Sequence, residues 1–368
     1  MARNKRSNGE GSLYFSEAQN TWVAEILLPD GKKKRKRNKL QRVVRSWLEK
    51  EKEALRHGMW VTNENTLYSD FLDRYMKEVA SHNLRPKALE NYAYAIKNHV
   101  KPNLGDMRIV AIRPDHLQHL YSKLLESGLS KYTVKYVHAI IRKTLGTALK
   151  WGLVNRNVAD AVSPPTPEIH EIKPLTVAEV KQLLKVLEGD RLYAFYVLIS
   201  TSGMRKGEAL ALQKSDLSLD TGIITVKHSL AQIYGKGLVL GEPKSEKSRR
   251  EIALPPFTIK VMRKHLMNHP SSSSYVFATS RGTPFSPRNI LRHLKSKLKE
   301  AGLPESTRIH DLRHSFISWL LASGTSIRDV QTIAGHAQAS TTLSIYSHVL
   351  PGYNRDAANK IEGMFATE

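Results

Sequence analysis

Hydrophobic positions along the chain change period three times. Between residues 12 and 37 they alternate over short distances: Ser12-Leu13-Tyr14-Phe15, then Trp22-Val23-Ala24-Glu25-Ile26-Leu27, then the basic run Lys32 to Arg37. Short alternating runs bounded by Gln19-Asn20 and Pro29-Asp30-Gly31 predict two or three strands joined by turns. Val43, Val44, Trp47 and Leu48 then form one stripe, which predicts a helix over about 41–56.

From about residue 64 to 160 the period is helical throughout. Leu67, Phe71, Tyr75 and Val79 recur every fourth residue, widened by Leu72. Pro86 suits a first helical position, and Leu89, Tyr92, Ala93, Ile96 and Val100 line the face that follows. A third helix opens near Pro114, buries Leu117, Leu120, Tyr121 and Leu124, and stops at Gly128. Ser130 caps a fourth, with Val134, Val137, Ile141, Leu145 and Ala148 inward, ending at Gly152. Four such helices with brief connections predict an all-helical bundle.

The prolines of Ser163-Pro164-Pro165-Thr166-Pro167, with Pro174 beyond, end that pattern and predict a semi-rigid spacer. The capping-box sequence Thr176-Val177-Ala178-Glu179 opens a mixed segment. Helices are expected near 177–188 and 190–202, strands near 222–227 and 237–254, and helices thereafter. The fold class expected is multidomain α+β: a small sheet plus helix, a helical bundle, and a mixed α/β domain.

Charge narrows the function. The 368 residues carry a formal charge of +23, with an isoelectric point near 10.0. Residues 1–60 alone hold 15 Lys and Arg against 7 Asp and Glu. Such a field concentrates a polyanion, of which nucleic acid is the commonest soluble one. Lys32, Lys33, Lys34, Arg35, Lys36 and Arg37 read as a phosphate-contacting strand, with a targeting signal or a solvated face as the plainer alternatives. Lys97, Lys101, Lys131, Lys135, Arg142 and Lys143 are left for the outside of the bundle, as surface solubility singly or as a phosphate-binding rim together. The absence of cysteine removes disulfides and thiolate chemistry. No signal-peptide core or membrane-length apolar run is evident, and a cytoplasmic protein is expected.

Four fragments of the last segment stand out together: Thr201 to Glu208, His310-Asp311-Leu312-Arg313-His314, Gly335-His336, and Thr341 to His348. Lys244 is a fifth element. Each residue has an ordinary reading: Arg205 as a helix cap, His310 and Arg313 as a polar helix face, Tyr346 as one of 14 tyrosines. His310 and His314, four apart, would suit a metal pair, but no acidic third ligand stands at zinc-site spacing. Jointly they hold what breaking a phosphodiester without a metal needs. Two guanidinium forks suit the charge on the nonbridging oxygens. A tyrosine hydroxyl is a nucleophile once a base and positive neighbours assist it. A lysine or histidine can protonate the leaving oxygen.

The order Arg, Lys, His-x-x-Arg, His, Tyr resembles the tyrosine recombinase family, specifically its phage and conjugative-element integrases. The local contexts agree: G-M-R-x-G-E-A-L at 203–210, H-D-L-R-H at 310–314, A-G-H at 334–336 and Tyr-Ser-His-Val at 346–349. The resemblance implies that Arg205 and Arg313 clamp the scissile phosphate and that Tyr346 is the nucleophile. It implies His310 as general base or phosphate ligand, His336 as a further donor, and Glu208 as the residue that positions Arg205. Lys244 would be the general acid on a β-hairpin, since Lys-Ser-x-x-Ser-x-Arg fits the family's pattern, with Lys247 as its rival. Lys214 and Ala334 depart from the usual tryptophan and leucine.

The implied division is an arm-type DNA-binding domain (1–60), a helical core-binding domain (64–162), a linker (163–174), a catalytic domain (175–350) and a tail (351–368) that docks between protomers. The implied reaction is two transesterifications through a 3′-phosphotyrosine and a Holliday junction, integrating or excising a mobile element without ATP, divalent metal or other cofactor. The implied partners are core-type and arm-type attachment sites, a homotetramer on DNA, and an accessory bending or directionality factor. A type IB topoisomerase, a chromosome-resolving Xer-like recombinase and a catalytically silent DNA-binding regulator are the alternatives.

Overall fold

The computed structural model describes residues 11–28, 31–56, 65–168, 173–241, 249–335, 338 and 362. The chain divides into two compact units, residues 1–169 and 170–368, and the division falls inside the proline-rich segment.

The first unit opens with an antiparallel sheet of β1 (Ser12–Ser16), β2 (Thr21–Leu27) and β3 (Lys33–Asn38), in that order. Asn20 turns the first hairpin in the left-handed region, with φ 49°. α1 (Gln41–Arg56) packs Val44 and Leu48 with Ala24 and Ile26 of β2. Paired residues share a face of the pleat, so the pairs Ala24–Lys36 and Ile26–Lys34 lie toward α1, whereas Glu25–Arg35 and Val23–Arg37 lie on the opposite face. Lys34 accordingly reaches Glu51 of α1 at 2.8 Å, while Arg35 pairs with Glu25. The basic run is therefore divided between two faces rather than acting as one block.

The rest of this unit is helical. α2 (Tyr68–Tyr75) continues through a π-turn (Met76–Ala80) into α3 (Ser81–Asn83). α4 (Pro86–Ala95) continues through a second π-turn (Ile96–Val100) into α5 (Lys101–Leu104). α6 (Pro114–Glu126) and α7 (Lys131–Lys150) complete the bundle, and every position expected to face inward on these two is buried. Ser130 Oγ accepts the Thr133 amide as the α7 cap. On α4 the outcome differs: Ala93 is exposed and Ala95 is buried beside Ile96 and Val100. Ile96 and Val100, within the wide turn that follows, keep the inward face expected of them. Buried hydroxyls find partners: Tyr68 Oη lies 2.7 Å from Thr144 Oγ1, and Tyr121 Oη 2.8 Å from His138 Nδ1.

The second unit begins with α8 (Val177–Val186), where Thr176 and Glu179 form the expected reciprocal cap. α9 (Tyr193–Ser202) is apolar on nearly every side and buried almost throughout, so it is the central helix of its core. Then come α10 (Lys206–Leu210), β4 (Leu217–Ser218), β5 (Ile223–Val226), β6 (Ser229–Ile233), β7 (Gly237–Gly241) and β8 (Arg250–Ala253). α11 (Pro256–Asn268), α12 (Pro287–Glu300), α13 (Ile309–Ala322) and α14 (Ile327–Ala334) follow. The sheets are β4-β5-β8 and the hairpin β6-β7. Strand is found at both ends of the 237–254 stretch, as β7 and β8, which are assigned to different sheets, and the turn expected at 245–248 between them lies outside the described residues.

Candidate DNA-cleavage site

The site is built on helix ends. α9 stops at Gly203, whose φ of 63° is left-handed and whose added Cβ would lie 2.7 Å from the Phe316 ring. Two residues later Arg205 is the N-cap of α10, and Glu208 sits one turn in. Glu208 Oε2 accepts the Arg205 backbone N–H at 2.9 Å, and Oε1 accepts Arg205 Nη1 at 2.7 Å. Glu208 thus accepts hydrogen bonds from both the backbone and the side chain of Arg205.

Glu208 has a second cation. Arg250, the first residue of β8, donates Nη2 to Glu208 Oε2 at 2.9 Å, with both side chains 3% exposed. Burial alone would raise the Glu208 pKa, but Arg250 and Arg205 outweigh it and hold the carboxyl below its ordinary value. Arg250 also donates Nε to the Ile333 carbonyl at 2.7 Å. Arg313, on α13, donates to the carbonyls of Gly203 and, at 2.6 Å, Ala334. Arg205 Nη2 donates to the Gly335 carbonyl at 2.7 Å.

Three consecutive carbonyls at the end of α14 thus each receive a different arginine. The last carbonyls of a helix have no partner within it and carry the negative end of its dipole, so guanidinium groups are drawn there. Gly335 closes α14 with φ 62°, and an added Cβ would lie 2.9 Å from Arg250 Nη1. Of the two arginines expected to clamp phosphate, Arg205 keeps about a third of its side chain exposed, whereas Arg313 is buried.

His310 is exposed in the first turn of α13, and His314 is buried one turn later. Their rings meet edge to face with centroids 4.4 Å apart. Desolvation lowers both pKa values to about 4, helped at His310 by His314, Arg313 and Arg205 and opposed by Asp311. Both imidazoles are neutral at pH 7, so His310 can accept a proton there.

Lys244, its rival Lys247, His336, Tyr346 and the 351–368 tail (Glu362 apart) lie outside the described residues. Lys97, Lys131, Lys135 and Arg142 are exposed on the bundle, with Lys131 paired to Glu168 at 2.8 Å and Arg142 to Asp160 at 2.6 Å. Lys214, the departure from tryptophan, ties Nζ to the Ser271 carbonyl at 2.5 Å and so tethers the loop after α11. Arg250 is the residue that sequence reasoning left without a role. Two signals marked it: it closes the Lys-Ser-x-x-Ser-x-Arg pattern that begins at Lys244, and in Arg250-Glu251-Ile252 the arginine shares the inward face with buried Ile252.

Two family descriptions match the chain: "Phage integrase family" over residues 173–352, and "Phage integrase, N-terminal SAM-like domain" over 66–125. Tyrosine recombinase XerC of Mesorhizobium japonicum is 30% identical over 284 residues, covering 72% of this chain and 86% of that protein. The chain belongs to the tyrosine recombinase family. It is thereby a site-specific recombinase of the phage integrase kind. An integrase of Saccharopolyspora erythraea is 25% identical over 432 residues, covering 99% of this chain and 98% of that one. The fold is shared with lambda integrase, solved as a tetramer bound to a Holliday junction, at a TM-score of 0.61 and 17% identity over 95% of this chain and 99% of that one.

Proposed function

We propose that this recombinase integrates or excises a mobile element through a covalent bond between Tyr346 and the 3′ phosphate of cut DNA. The observation that carries the reading is the gathering of Arg205 and Arg313, far apart in sequence, at the end of α14, directly before His336. Guanidinium groups collected in a partly water-excluded site suit the charge that builds on a phosphoryl group in transit.

In the first step the Tyr346 oxygen attacks phosphorus, His310 takes the phenolic proton, and the bond to the 5′ oxygen breaks as Lys244 protonates it. In the second, a 5′-hydroxyl from another duplex attacks the phosphotyrosine and the phenol is restored. One phosphodiester is lost and one is made, so no energy-rich cofactor enters. Arg205, the more exposed of the two arginines, meets the phosphate, and Glu208 keeps its guanidinium turned.

The same reading assigns residues 1–60 to arm-type DNA, 64–162 to core-type DNA, 163–174 to a linker, 175–350 to catalysis and 351–368 to protomer docking. Four protomers would hold two duplexes in the cytoplasm, with a bending or directionality factor assisting. An integrase is favoured over a topoisomerase or a chromosome resolvase by the basic sheet at 11–56 and by the full-length match to an integrase.

The test uses nicked duplexes tiled across the DNA that flanks the gene, so that a cleaved strand escapes and the adduct accumulates. Wild type is expected to form a covalent complex that Tyr346→Phe does not. An adduct with the Phe variant would move the nucleophile elsewhere, and none with wild type would favour a silent binder.

A further inference from the structure

We propose that Arg250 is a positioning residue of the cleavage site, setting the direction and the usable charge of Arg205 without touching DNA itself. The inference rests on the reading that Arg205 engages the scissile phosphate.

Arg250 is buried, so no substrate reaches it. It holds both structures that orient Arg205. Its Nη2 occupies Glu208 Oε2, leaving Oε1 to Arg205 Nη1. Its Nε holds the Ile333 carbonyl, two residues before the Gly335 carbonyl that receives Arg205 Nη2. A shift of Arg250 therefore displaces two of Arg205's anchors together. The close approach of its guanidinium to Gly335 leaves no room for a side chain there.

Charge gives a second reason. A lone Glu208–Arg205 pair would be neutral and a poor site for an anion. With Arg250 added, the buried set Arg250, Glu208 and Arg205 carries one net positive charge, and Arg205 is its solvent-open end. Arg250 thus offsets the carboxylate that holds Arg205, so the holder does not cancel the cation it presents. The sequence position fits: Arg250 starts β8 six residues after Lys244, so one side chain ties the root of the lysine-bearing segment to the arginine cluster.

The experiment measures single-turnover cleavage by the full chain on two duplexes, one with the ordinary scissile phosphodiester and one with a neutral methylphosphonate there. DNA affinity and melting temperature are recorded alongside. Arg250→Lys keeps the charge but loses the fork that spans Glu208 and Ile333. It is expected to bind DNA like wild type and to cleave the phosphodiester roughly 10- to 100-fold more slowly, the scale of a misplaced reacting group. On the neutral phosphonate that loss should shrink several-fold, as it should for Arg205→Lys, because less charge remains to be clamped. A purely structural role would slow both substrates equally, and that result overturns the proposal.

Should Arg250→Lys not fold, the paired variant Glu208→Gln with Arg250→Met removes both buried charges at once. The same substrate-dependent loss is expected of it, and wild-type cleavage of the phosphodiester by a folded paired variant also overturns the proposal. Wild type without activity on either duplex would instead remove the recombinase-site reading beneath it.

Discussion

His310 and His314 show how burial and neighbouring charge set the working state of a side chain. An unfolded histidine titrates near ~6.5, whereas His314 in the fold is pushed down to about 4. Between those values the unfolded chain takes a proton that the native state refuses. Stability is therefore fully present above the unfolded value and is lost as pH falls through this window. For the buried His314 this loss is on the order of 2–3 kcal/mol. Urea unfolding at pH 7.5 and pH 4.5 is expected to show a smaller drop for His314→Gln than for wild type by about that amount. Equal drops would mean that His314 is not held neutral. Residue identities at this site were largely readable in advance, because Arg205, Glu208, His310 and Arg313 stand in short motifs. Arg250 also stands in a motif, as the last residue of Lys-Ser-x-x-Ser-x-Arg, but its role was not readable, since its partners Glu208 and Ile333 are distant in sequence and only packing brings them to it.

At the scale of elements, the end of α14 carries the most structural consequence. Its left-handed closing residue, its three acceptor carbonyls and its contact with Arg250 all meet at Gly335. Gly335→Ala combines an unfavourable φ with a clash against a buried guanidinium, so a destabilisation of about 1–3 kcal/mol is expected. Chemical denaturation reads it directly, and an unchanged midpoint would show that the cluster tolerates a methyl group there. Helices with strong amphipathic stripes and caps, such as α6, α7 and α8, followed from local pattern alone. The two π-turns and the assignment of β7 and β8 to different sheets did not. A π-turn depends on how a helix is packed, and strand pairing depends on partners remote in the chain.

At the scale of the whole molecule, charge dominates, and among the described residues no helix is long and apolar enough to cross a membrane. The pleat of β3 makes the charge directional: Lys33, Arg35 and Arg37 share the face away from α1, whereas Lys34 is drawn toward Glu51. Replacing Lys33, Arg35 and Arg37 by Ala is expected to reduce the salt slope of binding to duplex DNA by up to about 2.7, each phosphate contact contributing roughly 0.9. Replacing Lys34 and Lys36 should change it less. Equal effects from the two sets, measured by titration across salt concentrations, would argue that the sheet does not present one face to DNA. The sequence by itself determined the class of chemistry, the succession of a basic sheet, a helical bundle and a mixed domain, and the candidates Arg205, Glu208, His310 and Arg313. These rest on composition, short-range periodicity and motifs that survive without a fold. Tertiary structure alone decided which residues of β3 face α1 and that Arg250 shares Glu208 with Arg205. It alone brought three arginines onto one helix end, because buried charge partnership depends on elements that meet only in space.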